Sequence, residues 1–199
     1  MPFIGLTGNF GMGKTTVLRF FKDSGAYTIN ADALVSHILK RPSIINKLTA
    51  ILGREVMRKR CGKPSINKRR VADIIFQNPE KRGLVEKVIH PEVMRLVECI
   101  KRKIIKKNPA AIVISEAPLL YEAHYERLFD KIIVVYCNKD VALRRLMAKG
   151  FSREDAMRRM RTQMPISKKK SSADFLINNN FNISNTRLQV KRIFKKLSQ

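Results

Sequence analysis

Acidic side chains are scarce in this chain: 16 Asp and Glu stand against 41 Lys and Arg, a formal net charge of +25 over 199 residues. A balance this basic attracts polyanions, whether nucleic acid, anionic lipid or a heavily phosphorylated small molecule. The positive charges are spread along the chain, however. The densest clusters, KRKIIKK at 101–107 and SKKK at 167–170, are not interleaved with aromatics, so a solvated cationic surface is expected and no specific nucleic-acid partner. Cysteine is scarce as well. Cys61, Cys99 and Cys137 stand far apart, with no Cys-x-x-Cys pair and no histidine at ligand spacing. That pattern argues against a disulfide framework or a zinc site and predicts reduced, mostly buried thiols. Long apolar runs are missing: none can cross a bilayer, and the opening MPFIGLTG has neither the basic nor the apolar region of a secretory signal. The expectation is a soluble, cytoplasmic protein with no membrane partner.

What is present is enough apolar material, 44% of the residues, for one domain of ordinary size with an inserted subdomain. PFIGLT reads as a short buried strand, and a helix runs from near Lys14 through TTVLRFFKD to a stop at Ser24-Gly25. YTIN (27–30) is a second strand, with Asp32 just past it at the start of a helical stretch. From 42 to 107 the pattern is helical; Pro91 suits the first turn of a helix whose apolar positions are Val93, Leu96, Val97, Ile100 and Ile104. AAIVIS (110–115) and KIIVVYC (131–137) are continuous apolar runs, as strands buried on both faces should be. Helices over 139–149 and 152–163, a strand at ADFLI (173–177), a loop at NNNFNISN (178–185) and a basic amphipathic helix at TRLQVKRIFKKL complete the chain. Strand–helix alternation at both ends predicts an α/β fold, a parallel sheet of about five strands with helices on both faces. The helical middle is an insertion able to close over a ligand.

Directly after the first strand comes Gly8-Asn9-Phe10-Gly11-Met12-Gly13-Lys14-Thr15, a glycine, four free positions, then Gly-Lys-Thr. In a strand–loop–helix setting each part has a task. The glycines let backbone N–H groups approach phosphate oxygens, and the helix N-terminus adds its positive dipole end. Lys14 reaches the β- and γ-phosphates, and the Thr15 hydroxyl ligates Mg²⁺. A nucleoside triphosphate is therefore the expected ligand, with ATP first among them. On the acceptor side, Asp32 sits at the carboxyl end of the second strand, where open α/β sheets bind ligands. A carboxylate there can take a hydroxyl proton or hold Mg²⁺ through water, and can equally serve as a helix cap. Glu116, after the third buried run, occupies the position of a second metal-side acid.

Taken in order, GLTGNFGMGKTT, NADALV, INKRRVADIIF, VEKVIHPEV, APLLYE, LFDKIIVVYC, RLMAKGFSREDAMRRMRTQMP and KKSSADFLINNN resemble the dephospho-CoA kinase family over about residues 5 to 180. The HP, PLLYE and Arg159-Gln163-Pro165…Ala173-Asp174 elements separate that family from other P-loop kinases. The resemblance implies a P-loop NTPase fold that transfers the γ-phosphoryl group of ATP, with Mg²⁺, to the ribose 3′-hydroxyl of dephospho-CoA. It divides the chain into a core (1–41, 108–144 and 172–199), a helical acceptor-binding subdomain (about 42–107) and a lid (about 145–171). Residue by residue, Gly8, Gly11, Met12, Gly13, Lys14, Thr15 and Thr16 would hold the ATP phosphates, and Asn179 would lie near adenine. Lys14, Asp32, Arg145 and Arg159 would be catalytic. Asp32, Lys68, His90, Pro118 and Leu119 would bind the acceptor, and Thr15 with Asp32 or Glu116 would serve the metal. Among the predicted lid arginines, Arg144, Arg158 and Arg161 read as solvated; only motif position distinguishes Arg145 and Arg159. His90 reads equally as a packed residue at a helix start and as an acceptor contact, while His37 and His124 read as structural.

Three positions depart from the family's usual residues: Asn30 stands for aspartate, and Lys68 and Lys149 for arginine. Lysine keeps the charge but loses the bidentate fork, which bears on rate and affinity more than on reaction type. Rival readings are a P-loop kinase for another small acceptor, a nucleic-acid-stimulated ATPase suggested by the charge, and a nucleotide-binding pseudo-enzyme, against which Lys14, Thr15 and Asp32 speak. A monomer is favoured over an oligomer.

Overall fold

The apolar run near the start of the chain is β1 (Phe3–Thr7), buried along its length, which leads through the glycine loop into α1 (Lys14–Asp23) and β2 (Tyr27–Asn30). Next come α2 (Ala31–Ile38), α3 (Pro42–Leu52), a hairpin of β3 (Met57–Arg60) and β4 (Lys63–Ile66), α4 (Lys68–Gln77) and the long α5 (Pro79–Lys107). β5 (Val113–Glu116), β6 (Lys131–Tyr136), α6 (Lys139–Met147), α7 (Arg153–Arg161), α8 (Ile166–Ser171), β7 (Phe175–Asn178) and α9 (Ile183–Leu197) follow. The computed structural model describes residues 2–60 and 63–199, so Cys61 lies outside the described residues. Two units result: Met1–Asn30 with Ile100–Gln199, and Ala31–Cys99. Among the described residues no helix is long and apolar enough to cross a membrane.

In the first unit the five strands pair in the order β2-β5-β1-β6-β7, every neighbouring pair parallel. Successive side chains on a strand point to opposite faces, so β1 and β6 supply two cores. Ile4, Leu6, Ile133 and Val135 pack with Val17, Phe20 and Phe21 of α1 and with Val190 and Ile193 of α9. Ile132 and Val134 pack on the other face with Leu120 and Tyr121, backed by Met164 and Ile166. Gly5 belongs to that second face: a Cβ there would stand 2.5 Å from Leu120 Cδ1, so only bare backbone admits Leu120. Asp174 joins β6 to β7. Its carboxylate accepts from the Ile132 amide at 2.8 Å and from Lys131 Nζ at 2.9 Å. Burial alone would raise that carboxyl, but these bonds outweigh it and hold it below the usual range.

In the second unit α3 buries Ile44, Ile45, Leu48 and Leu52, and Asn67 caps α4 by accepting from the Arg69 and Arg70 amides at 3.1 and 3.2 Å. α5 buries Val85, Ile89, Val93 and Val97, one residue per turn along a single stripe.

The structure corrects the sequence reading in several places. The stretch from 42 to 107 is not helical throughout, because the β3–β4 hairpin interrupts it, with Lys59 opposite Pro64. Proline disfavours continuation of a helix and is tolerated where a strand has a free edge. Pro91 does not open a helix; it lies inside α5, which starts at Pro79. An internal proline forfeits one backbone bond and costs about 3 kcal/mol, and the apolar stripe on both sides of it offsets that loss. His90 is accordingly interior to a helix and not at its start. β5 begins at Val113 instead of at 110 and includes Glu116 as its last residue. Of the thiols, Cys137 is buried but Cys99 is exposed on α5.

Candidate active site

Residues 8–13 turn between the end of β1 and the start of α1 at the carboxyl edge of the sheet, where a doubly wound fold opens its ligand crevice. Gly8, Gly11 and Gly13 all have positive φ (147, 82 and 91°). None of the three has room for a side chain: on Gly11 a Cβ would stand 2.9 Å from the Ala142 carbonyl oxygen, and the other two are tighter still. A Cβ on Gly8 would stand 2.2 Å from the Val135 carbonyl oxygen, and one on Gly13 would stand 2.1 Å from Asn179 Nδ2. The loop therefore presses its backbone against β6 and against the residue after β7. α1 carries no acidic residue in its first turn, and its first N–H groups lack intrahelical partners, so the positive end of the helix faces the loop undiluted. Lys14 Nζ donates back to the Asn9 carbonyl at 3.2 Å, across the loop, and Thr15 is exposed beside it.

Asn179 and Arg145 hold this loop from below. Asn179, 6% exposed, donates from Nδ2 to the Met12 carbonyl at 2.9 Å, and its Oδ1 accepts from Thr186 Oγ1 of α9 at 2.9 Å. Arg145 of α6 donates from Nη2 to the Asn179 carbonyl at 2.9 Å. Its Nη1 is buried with no partner among the described residues, and lies 3.6 Å from where a Gly13 Cβ would be. A buried guanidinium donor left open against a phosphate-type loop is what an anionic ligand would satisfy. Burial pushes the neighbouring Cys137 thiol up, with Arg145 acting in the opposite direction.

From the other side the loop is tied to the segment after α7. Phe10 N donates to Gln163 Oε1 at 2.7 Å, and Asn9 Nδ2 donates to the Met164 carbonyl at 3.0 Å. Phe10 meets Phe151 edge to face at 5.2 Å, and the Arg159 guanidinium lies 5.8 Å from the Phe10 ring and 5.1 Å from Phe151. Arg159 also donates from Nε to Asp155 at 3.1 Å, and Arg158 binds the same carboxylate at 2.6 Å. Burial opposes ionisation of Asp155, but the two guanidiniums prevail and keep it below the usual carboxylate range.

Glu116 ends β5 beside β1 and is 2% exposed, its carboxylate accepting from Asn30 Nδ2 at 3.1 Å. Asn30 thus stands in for a carboxylate as a donor to one. Pro118 follows, its carbonyl accepting from Thr7 Oγ1 at 3.3 Å, and Leu119 is half-buried in the next turn. In the second unit, Asp32 lies in the first turn of α2. Ser36, one turn on, donates to the Asp32 carbonyl at 2.8 Å and accepts from Lys68 Nζ, which brings Lys68 alongside. His90 is half-buried; burial lowers its pKa, with Glu86 pulling the other way.

The glycines, Lys14, Thr15, Thr16, Asn179 and Arg145 thus converge, with Arg159 against Phe10. Sequence reasoning missed the roles of Asn9, Glu122 and Lys169, and named Gln163 only as a motif letter. Lys169 was taken with its neighbours as a solvated charge, yet it is 0% exposed. Its single usable signal was membership of the same KKSSAD stretch as Asp174.

The profile of the dephospho-CoA kinase family matches residues 2–185. The chain belongs to the dephospho-CoA kinase family. Dephospho-CoA kinase of Aquifex aeolicus is 34% identical over 200 residues, spanning 100% of this chain and 99% of that protein. The Carboxydothermus hydrogenoformans dephospho-CoA kinase is 35% identical over 201 residues, spanning 98% and 94%. Among solved structures, the dephospho-CoA kinase of Campylobacter jejuni superposes with a TM-score of 0.68 at 25% identity, covering 98% of this chain and 96% of that one. A shikimate kinase from Bacteroides thetaiotaomicron, at TM-score 0.52 and 16% identity over 100% and 99% of the two chains, shares the fold alone. A five-stranded parallel sheet with a phosphate loop is thus the fold of this dephospho-CoA kinase family member, as its sequence predicts.

Proposed function

We propose that this chain transfers the γ-phosphoryl group of ATP to the 3′-hydroxyl of the ribose of dephospho-CoA, giving CoA and ADP, the last step of CoA biosynthesis. The observation that carries the reading is the open Nη1 of Arg145 against a glycine loop with no space for side chains, in a chain that matches this family along almost its whole length. Phosphoryl transfer asks for positioning and charge neutralisation more than for covalent chemistry, and a rigid loop with buried cationic donors supplies both.

In this reading the loop residues Gly8, Gly11, Met12 and Gly13, with Lys14 and Thr16, hold the ATP phosphates, and Arg145 adds a fixed positive charge. Asn179 serves ATP binding by shaping the loop, since its side chain is engaged with Met12 and Thr186. Asp32 accepts the proton of the ribose hydroxyl. Lys68 and His90, in the unit Ala31–Cys99, and Pro118 and Leu119 contact the acceptor; residues about 42–107 form the acceptor-binding subdomain. Residues about 145–171 act as the lid, from which Arg159 leaves Asp155 to reach the transferring group. The Thr15 hydroxyl, with the Glu116 or the Asp32 carboxylate, would serve a divalent ion; all are hard oxygens, the donor type that Mg²⁺ takes. Bound with ATP, Mg²⁺ would neutralise phosphate charge. The cytoplasm is the proposed location.

Mass spectrometry of ATP and dephospho-CoA incubated with pure protein tests the proposal: one added phosphate, located on the ribose by fragmentation, is the expected product. Phosphorylation of AMP, CMP or shikimate in place of dephospho-CoA would overturn it. Lys14→Ala should lower turnover by about a hundredfold or more, and Asp32→Asn should lower turnover far more than ATP affinity.

A further inference from the structure

Lys169 is the most deeply buried cation among the described residues, 0% exposed in the short helix α8. Its Nζ lies 2.8 Å from Glu122 Oε1 and donates to the Pro118 carbonyl at 3.4 Å. The same Glu122 oxygen accepts from the Met164 amide at 3.0 Å. Met164 in turn offers its carbonyl to Asn9 Nδ2 at 3.0 Å, and its neighbour Gln163 accepts from the Phe10 amide at 2.7 Å. One unbroken chain of polar contacts therefore runs from the buried ion pair to two consecutive residues of the phosphate loop. Thr7, the last residue of β1, meets the pair's other end at the Pro118 carbonyl, 3.3 Å away. Tyr121 closes the layer by donating to the Ser172 carbonyl at 2.8 Å, and burial pushes its phenol up to about 12, so this donor keeps its proton at any working pH.

Stability alone does not account for the pair. An ion pair between a fully buried lysine and a glutamate whose side chain is 21% exposed returns little net stability, because desolvation offsets much of the attraction. Here the second carboxylate oxygen, Glu122 Oε2, is buried with no partner among the described residues, so the pair is not even fully satisfied. What it supplies is direction: Lys169 fixes one oxygen of Glu122 at the spot where the Met164 amide must be.

We propose that Glu122, held by Lys169, is a positioning residue for phosphoryl transfer: its oxygen sets the backbone of Gln163 and Met164, and these hold Asn9 and Phe10 so that the phosphate loop keeps its transfer-competent shape. The proposal rests on the kinase reading above. Neither residue touches ATP; each acts through the loop.

Two double variants separate positioning from stability. Lys169→Met with Glu122→Gln removes both charges but keeps an oxygen for the Met164 amide. Lys169→Met with Glu122→Met removes both charges and that oxygen. The Gln-containing double should keep kcat within about threefold of the parent. The Met-containing double should lose about tenfold to a hundredfold in kcat, with KM for ATP changed less than about threefold and a similar melting temperature. Equal kcat in the two doubles, or a loss appearing in KM alone, overturns the proposal. Should the Met-containing double fail to fold, Gln163→Met cuts the same chain outside the buried pair and must show the same kcat-selective loss; unchanged kcat there overturns it too. Hydrogen exchange of the peptide spanning residues 7–13 gives a readout independent of turnover: protection at Asn9 to Met12 should fall about tenfold in the Met-containing double and not in the Gln-containing one. If the parent makes no CoA the kinase reading fails, while this exchange comparison still decides the latch.

Discussion

Asn179→Ala is the sharpest perturbation the geometry offers, because its cost can be worked from two bonds. It deletes the donor to the Met12 carbonyl and the acceptor of Thr186 Oγ1, both at 2.9 Å. Met12 and Thr186 are 3% and 0% exposed, so water does not replace the lost partner. An abandoned buried group costs about 1–3 kcal/mol. Thr186 retains a weaker contact to the Asn182 carbonyl at 3.4 Å, so its share falls at the low end. The sum is about 2–4 kcal/mol, or a melting temperature lower by about 5–15 °C for a chain of this size. Gly13→Ala reaches the same bonds from the other side. Its Cβ would lie 2.1 Å from Asn179 Nδ2 at a φ of 91°, so it must displace Asn179 as well as bear backbone strain. That strain alone is about 1–2 kcal/mol. In the Asn179→Ala background the clash is gone and only the strain remains. The double variant should therefore be about 2–4 kcal/mol less destabilised than the sum of the singles, the bond pair having been counted twice. Urea unfolding of the four proteins measures this, with ATP titration alongside, where Asn179→Ala should bind about tenfold more weakly. Additivity to within about 0.5 kcal/mol would refute the account of Asn179 as the loop's support.

Arg145→Met keeps much of the aliphatic bulk but removes both the open Nη1 and the Nη2 bond to the Asn179 carbonyl, so ATP affinity should fall by about tenfold or more with little change in the circular dichroism of the apo protein; unchanged affinity in a calorimetric titration counts against an anion at that donor. Asp155 has a folded pKa below its ordinary value of 3.8, so the stability it contributes is present at higher pH and is lost as pH falls below about 4. Asp155→Asn should flatten that acid limb in a pH series of thermal melts, and lower the melting temperature at neutral pH by about 1–3 °C. His90 is lowered by burial from its ordinary 6.5. The unfolded chain then binds the proton first, so stability is full above that value and declines as pH drops through it. His90→Gln should remove this slope between pH 7 and 5, and a slope that persists assigns it elsewhere.

What the sequence determined by itself was local. Three glycines, a lysine and a threonine between an apolar run and a helical period specify a phosphate loop, because positive φ and close backbone approach are demands on single residues. Continuous apolar runs such as KIIVVYC specify strands buried on both faces for the same reason: the pattern and its consequence occupy one stretch of chain. The hairpin at Met57–Arg60 and Lys63–Ile66 was hidden because two four-residue strands, one mostly charged and one carrying a proline, show little periodicity, and Pro91 misled because an internal proline is tolerated only where packing on both sides repays its lost bond.

Only the tertiary structure decided which charges work from inside. Lys169 and Lys168 are adjacent in one run of lysines, yet one is buried against Glu122 and the other exposed. Arg145 and Arg144 are equally alike in sequence, and only Arg145 meets Asn179. The burial of a charge depends on partners 34 to 47 positions away in these two cases (179 − 145 and 169 − 122), and on the solvent those partners exclude. No local pattern of residues records that distance, because desolvation is a property of the packed neighbourhood and comes into being only when the sheet closes beneath the loop.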